Sequence, residues 1–365
     1  VNPRELDQAC AGLVCIGFQG TTASGEVLDL VRRGVYGVIL FSRNIESAQQ
    51  VADLSGTLKR AAGRPFLVTV DQEGGRVARL RARHGFTELP SMGTIGEVGD
   101  ESLARRIGAL LGRELRAVGI DQDYAPVVDV NTNPANPVIG DRSFGRDPRE
   151  VGRLGAALAM GIQSEGVAAC AKHFPGHGDT SQDSHHDLPR LQHSLERLEE
   201  VELLPFRALA AAGVASMMTA HVVFEAIDPL RPATMSPAVM ALLRDWCGFD
   251  GAAVSDDLEM KAVSDNFSIQ DAVPGTLNAG VDGLLVCHTA ATQHRAIDLL
   301  REAVEKGRIS RARLAEARQR MIGLLAFAGP SPDPRLVHQR LRTRDHLSLV
   351  ANLPTVGRGR DPTSA

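Results

Sequence analysis

The chain has 365 residues, 43% of them hydrophobic and 23% charged, with a formal net charge of -4 and a pI near 6.3. That length buries an ample core as one large α/β domain or as two smaller ones. Mild acidity without a basic block in the body of the chain argues against a nucleic-acid groove or an anionic membrane surface as the main partner and leaves small neutral ligands open.

The apolar run over residues 9–18 lacks a basic leader and is broken by Gly12 and Gly17, so it reads as a strand rather than a secretion signal. Residues 26–33 have the apolar spacing of a helix (Val27, Leu30, Val31) and stop at Gly34. A second strand over 35–41 runs into Ser42-Arg43-Asn44, a helix covers 48–60, and a third strand over 65–70 ends in Asp71-Gln72-Glu73-Gly74-Gly75-Arg76. The pattern repeats: a helix over 103–118, a strand over 120–130 ending near Asp129, then a Pro/Asn/Gly-rich loop carrying Gly140-Asp141-Arg142-Ser143-Phe144-Gly145. A helix over 149–165 leads to a short apolar strand over 166–171.

Further on come a helix over 195–212, a strand over 215–220 ending at His221, and a helix over 235–247 with Ser236 as cap and Pro237 in its first turn. A seventh strand over 251–255 meets Asp256-Asp257, and an eighth over 281–287 follows a helix over 271–279. Helices over 292–306 and 311–326 complete the series. Eight strand-helix units make a single (β/α)8 TIM barrel the expected fold, an α/β architecture occupying residues 1–328. From residue 329 on, Pro, Arg and Ser become frequent, which marks residues 329–365 as a polar, partly disordered C-terminal extension with a helix over 336–350.

Five scattered cysteines (Cys10, Cys15, Cys170, Cys247, Cys287) with no Cys-x-x-Cys pair read as core thiols in a reducing, cytoplasmic compartment. No uninterrupted apolar run reaches the roughly 18 residues that a bilayer demands.

The chemistry concentrates between Lys172 and Pro189, where four histidines, three aspartates and a lysine follow the fifth strand. Polar groups at the carboxyl ends of barrel strands converge on one mouth, which gathers Asp71, Asp129, Arg142, Lys172, His173, Asp183, His185, His221 and Asp256. Asp183 and His185 stand two apart and point the same way if extended, so the carboxylate can orient the imidazole. Paired groups on either side of a sugar ring suit a reaction through an oxocarbenium-like transition state, with Asp256 as nucleophile and the Asp183/His185 pair handling the proton.

Taken together, these segments resemble the β-N-acetylhexosaminidases of glycoside hydrolase family 3. The matching pieces are Asp71-Gln72-Glu73-Gly74-Gly75 with Arg76 and Arg79, the Gly140 to Gly145 loop, the Lys172 to Pro189 stretch, and Ser255-Asp256-Asp257-Leu258-Glu259-Met260. The resemblance implies Asp256 as nucleophile, His185 as acid/base and Asp183 as its partner. It implies Asp71, Arg79, Arg142, Lys172 and His173 as sugar binders. It further implies hydrolysis of terminal β-N-acetylglucosamine from cell-wall muropeptides or related glycans, by a monomer, with no cofactor and no metal.

Blander readings stand beside these. Asp256-Asp257 fits a turn pair, Arg79 a surface helix charge, His221 a packing residue, Asp129 a brace for the Arg142 loop, and His177 a partner for buried carbonyls. Gly74-Gly75 is read as letting backbone approach a ligand. The alternative functions are a β-glycosidase or chito-oligosaccharide hydrolase of the same family, a metal-dependent TIM-barrel hydrolase, and a sugar-binding protein on a decayed barrel. The metal reading lacks both a His-x-His closing the first strand and a His-Glu-x-x-His helix.

Overall fold

The computed structural model describes residues 2–181, 184, 187–353 and 361–363. Eight parallel strands form a closed barrel: β1 (Val14–Ile16), β2 (Gly37–Leu40), β3 (Leu67–Val70), β4 (Gln122–Asp123), β5 (Ala168–Phe174), β6 (Ser216–Thr219), β7 (Ala252–Asp257) and β8 (Gly283–Val286). Each pairs with its neighbour in sequence, and β1 closes the ring on β8 with Val14 opposite Leu284. This is the expected (β/α)8 barrel.

The main helices are α1 (Pro3–Ala11), α2 (Gly25–Arg33), α3 (Ala48–Ala62), α4 (Glu101–Ala117), α5 (Pro148–Ser164), α6 (Leu203–Ala212), α7 (Ile269–Ala279), α8 (Ala290–Glu305), α9 (Arg311–Leu325) and α10 (Arg344–Ala351). Their starts follow the polar residues that precede them. Ser24, Ser47, Asp100, Asp147 and Ser310 each accept a hydrogen bond from the first helical turn, satisfying amides that have no partner within the helix.

Several elements differ from the pattern in the sequence. Residues 9–11 belong to α1, because Asn2 caps it, Pro3 opens it, and Leu6, Ala9 and Cys10 bury one helical face; only Val14–Ile16 of that run is strand. The fourth strand shrinks to two residues. Pro126 has no amide to give to the sheet, and beyond it a single bridge joins Val127 to Lys172. The helix expected over 195–212 opens into a π turn at Leu198–Glu202, and the one over 235–247 does so at Leu242–Trp246 after Ser236 caps Pro237–Ala241. Strands β5 and β7 run further than expected, so Lys172, His173, Asp256 and Asp257 lie on strands and not after them.

Within 329–353 the chain forms Val337–Arg340 and α10, which pack back on the barrel. Val337 and Leu341 are buried, and the His346 Nδ1 lies 2.9 Å from Glu114 Oε1 on α4. That carboxylate also accepts from Thr87 and from the Arg342 amide. All five cysteines are free and buried, and among the described residues no helix is long and apolar enough to cross a membrane.

At the amino ends of the strands, buried carboxylates fasten helices to the barrel. Asp282, just before β8, accepts from Arg244, from Arg313 and from the Ala253 amide of β7. Opposite it, Asp121 before β4 joins Lys59 of α3, Arg116 of α4 and the Gly329 amide. Removing one member of such a group leaves its partners charged and unmatched in a water-poor site. Asp282→Ala is therefore expected to lower the free energy of unfolding by about 3 kcal/mol, read from urea titration. A change within error would show that Arg244 and Arg313 find other partners.

Candidate active site

A cavity of about 700 Å³ opens at the carboxyl ends of the strands, within the range of small-ligand sites. Asp71, Arg79, Arg142, Lys172, His173 and Asp256 all line it, so six positions between 71 and 256 do converge. Asp183 and His185 lie outside the described residues; Ser184, between them in sequence, lines the cavity.

The segment after β3 supplies one side. Gln72 clamps a small hairpin of Gln72–Gly74 and Val77–Ala78: its Oε1 accepts from the Arg79 and Leu80 amides and its Nε2 donates to the Leu80 carbonyl. This places Arg79 at the hairpin's end, 2% exposed, which rules out a surface helix charge. Gly74 and Gly75 make the turn with φ of +95° and +57°. A Cβ on Gly75 would come within 2.7 Å of Ser91, so this glycine pair serves the turn and its packing, not the approach of a ligand.

Glu73, to which the sequence pattern assigns no role, ties the site together. Its carboxylate takes Arg142 Nε and Nη2, each at 2.8 Å, and Lys172 Nζ at 2.7 Å. Burial pushes this carboxyl up, but Arg142 and Lys172 outweigh burial and hold it well below the usual carboxylate range. Lys172 also reaches Asp71 Oδ1 at 2.7 Å. Burial alone would discharge the amine, whereas Asp71 and Glu73 raise its pKa above the ordinary value. The Nε edge of Arg142 is thus committed to Glu73, and Nη1 donates to the Val138 carbonyl at 3.2 Å, which uses three of the five N–H groups of this cavity-lining guanidinium. The signal in the sequence was the spacing: Asp71 and Glu73 are two apart in an extended segment, so both face Lys172.

His173 is oriented from behind. Its Nδ1 lies 2.7 Å from Asp129 Oδ2, which leaves Nε2 for a ligand hydroxyl. Asp129 also accepts the backbone amides of His173 and His177, while its carbonyl takes the Ser143 hydroxyl. It therefore braces the histidine pair as well as the loop carrying Arg142. Burial pushes its carboxyl up, but His173 and His177 overcome that and hold it below its ordinary value.

Two neighbouring pairs break the alternation of a regular strand. Lys172 and His173 both line the cavity, as do Asp256 and Asp257. In a flat ladder, consecutive side chains point to opposite faces. The β5–β6 register shifts between Ala171 and Phe174, and the β7–β8 register between Val254 and Asp257. Such irregularities re-aim side chains, here at the two places where the site needs adjacent residues. Asp256 is half-buried and its Oδ1 accepts the Asp257 amide at 2.8 Å. Asp257 holds the end of β8 through the Cys287 amide and lies 3.0 Å from His288 Nε2. The hydrogen bond with Asp257 raises the His288 pKa. His221 is buried, with Nδ1 near Thr234 Oγ1 and Nε2 near the Asp257 carbonyl. Among the described residues no cluster of His, Cys, Asp and Glu has the geometry of a metal site.

Fold and cavity together define a TIM-barrel protein whose mouth is built for a small polar ligand. The chain belongs to glycosyl hydrolase family 3: the model of that family's N terminal domain matches residues 5–324. Beta-hexosaminidase A of Pseudoalteromonas piscicida is 37% identical over 363 residues, covering 91% of this chain and 60% of that protein, which therefore extends well beyond the matched part. A family 3 β-N-acetylglucosaminidase from Paenibacillus sp. str. FPU-7 superposes with a TM-score of 0.89 at 42% identity, over 94% of this chain and 67% of that one. NagZ from Neisseria gonorrhoeae, in complex with N-trifluoroacetyl-D-glucosamine, superposes with a TM-score of 0.77 at 33% identity, over 93% and 96%.

His177 gives the site a pH dependence of its own. Burial, with the adjacent His173 adding to it, pushes the imidazole down to about 4, and its nitrogens meet Thr180 and Ser184. An unfolded histidine titrates near about 6.5, so between these values the unfolded chain holds a proton that the folded chain does not. Stability is lost as pH falls through that window. In His177→Gln the loss of unfolding free energy from pH 7 to pH 5 should be smaller than in the parent by about 2 kcal/mol, measured by urea titration at both pH values. Equal losses would mean that His177 takes up a proton in the folded state.

Proposed function

We propose that this chain is a retaining exo-β-N-acetylglucosaminidase that releases terminal N-acetylglucosamine from cell-wall muropeptides or related glycans. The observation that supports this most is that Asp256 and the set Asp71, Arg79, Lys172 and His173 line one cavity in a barrel of glycosyl hydrolase family 3. Relatives named as β-hexosaminidases and β-N-acetylglucosaminidases favour the N-acetyl sugar over a plain glucoside. Free, buried cysteines suit a reducing cytoplasm.

In this mechanism Asp256 attacks the anomeric carbon while His185, oriented by Asp183, gives its proton to the departing glycosidic oxygen. The bond from Asp256 to the sugar forms as the bond to the aglycone breaks. Water, deprotonated by the same imidazole, then attacks the anomeric carbon and frees the carboxylate. Asp71 and Lys172 pair with each other at 2.7 Å, so together they offer a donor and an acceptor to adjacent hydroxyls. His173, fixed by Asp129, presents Nε2 to another.

Asp256→Ala is expected to abolish turnover of every glycoside. His185→Ala should slow N-acetylglucosamine disaccharides by about 10²-fold or more while sparing aryl glycosides, whose leaving groups need little protonation. Proton NMR during turnover should show the β-anomer of N-acetylglucosamine first. An α-anomer as first product would overturn the covalent route, and equal losses on both substrates would remove His185 from the acid role. Preference for a 2-hydroxyl over a 2-acetamido aryl glycoside would make the protein a β-glycosidase.

A further inference from the structure

The cavity is lined by three residues far from the rest of the site in sequence: Asp361, Pro362 and Thr363. They meet Arg79. The Asp361 carboxylate pairs with Arg79 Nη1, and the Thr363 hydroxyl accepts from Nη2 at 2.6 Å. Asp71, whose other oxygen is held by Lys172, reaches Arg79 only at 3.4 Å. Arg79 thus makes its short contacts with this segment.

The segment is preformed for the task. Asp361 Oδ1 accepts the Thr363 amide at 2.9 Å and the Thr363 hydroxyl at 2.7 Å, an Asx turn that sets the carboxylate and hydroxyl side by side. Pro362 between them limits the conformations that must be given up on docking. A carboxylate beside a hydroxyl presents a row of oxygens to a guanidinium, much as neighbouring hydroxyls of a pyranose do. With this segment in place Arg79 is 2% exposed, its guanidinium covered on the cavity side by a carboxylate and a hydroxyl.

We propose that residues 361–363 are a ligand of this chain's own sugar pocket, occupying Arg79 in place of saccharide hydroxyls so that segment and substrate compete. The inference rests on the reading of the cavity as a sugar site. The segment dissociates before a glycoside engages Arg79, and the apparent affinity for substrate is reduced by the fraction of molecules that hold it. Once substrate is bound, the chemistry at Asp256 is unaffected.

The test uses the full chain with Asp361→Ala and Thr363→Ala together, neither of which belongs to the sugar-binding set. The KM for an aryl N-acetylglucosaminide should fall by about three- to tenfold, with kcat within about twofold of the parent, as expected for a lost charge-assisted competitor. A contact that only holds the fold together would lower the urea midpoint and leave KM unchanged, which would overturn the proposal. In a second arm, an N-acetylated Asp-Pro-Thr peptide at millimolar concentration is titrated into the double variant and followed by NMR. Saturable shifts that vanish when Arg79→Ala is added support the proposal; no shifts, or shifts indifferent to Arg79, overturn it. This arm requires no turnover, so a protein that hydrolyses no glycoside yet binds the peptide through Arg79 would refute the assigned activity and retain the self-ligand.

Discussion

A single buried carboxylate, Glu73, holds the candidate site in shape. Arg142 comes from the long loop after β4, Lys172 from β5, and the hairpin after β3 carries Glu73 itself. Three otherwise independent segments are joined by one side chain that is 2% exposed. In so dry a position a charge must be matched, and Asp71, also paired with Lys172, supplies the second carboxylate that balances Arg142 and Lys172. The charged groups of the cavity therefore hold one another in place before any ligand arrives.

Behind this set lies a second layer that fixes direction and not charge. Asp129 decides which nitrogen of His173 is left for a ligand, Gln72 decides where Arg79 stands, and the register shifts of β5 and β7 decide which way consecutive side chains face. None of these groups need touch a substrate. Each removes a degree of freedom from one that does, so the mouth of the barrel can be specific although its reactive side chains rise from different strands.

Much of this was legible in the sequence, and the limits are physical. Apolar runs alternating with amphipathic ones disclosed the barrel, because strand and helix periods differ and caps such as Ser310 or Asp147 are local. Asp71, Lys172, His173 and Asp256 could be gathered on one face once that barrel was assumed. The two-residue length of β4 was hidden, since an apolar stretch reads as strand whether or not Pro126 lets it pair. Glu73 was hidden because its partners lie 69 and 99 positions away, though its two-residue offset from Asp71 was visible. The pairing of Arg79 with Asp361 spans 282 positions and leaves no local trace at all.

The same ring that unites these segments constrains how the molecule comes into being. The first strand has one of its two neighbours at residues 284–286, so the hydrogen-bonding groups on that flank stay open while most of the chain is still being made. During synthesis the nascent protein carries two bare sheet margins that can join only each other, or a stranger's. Closure is thus a late, long-range event, and a polypeptide stalled before its eighth strand would be more prone to associate with other chains than the finished one.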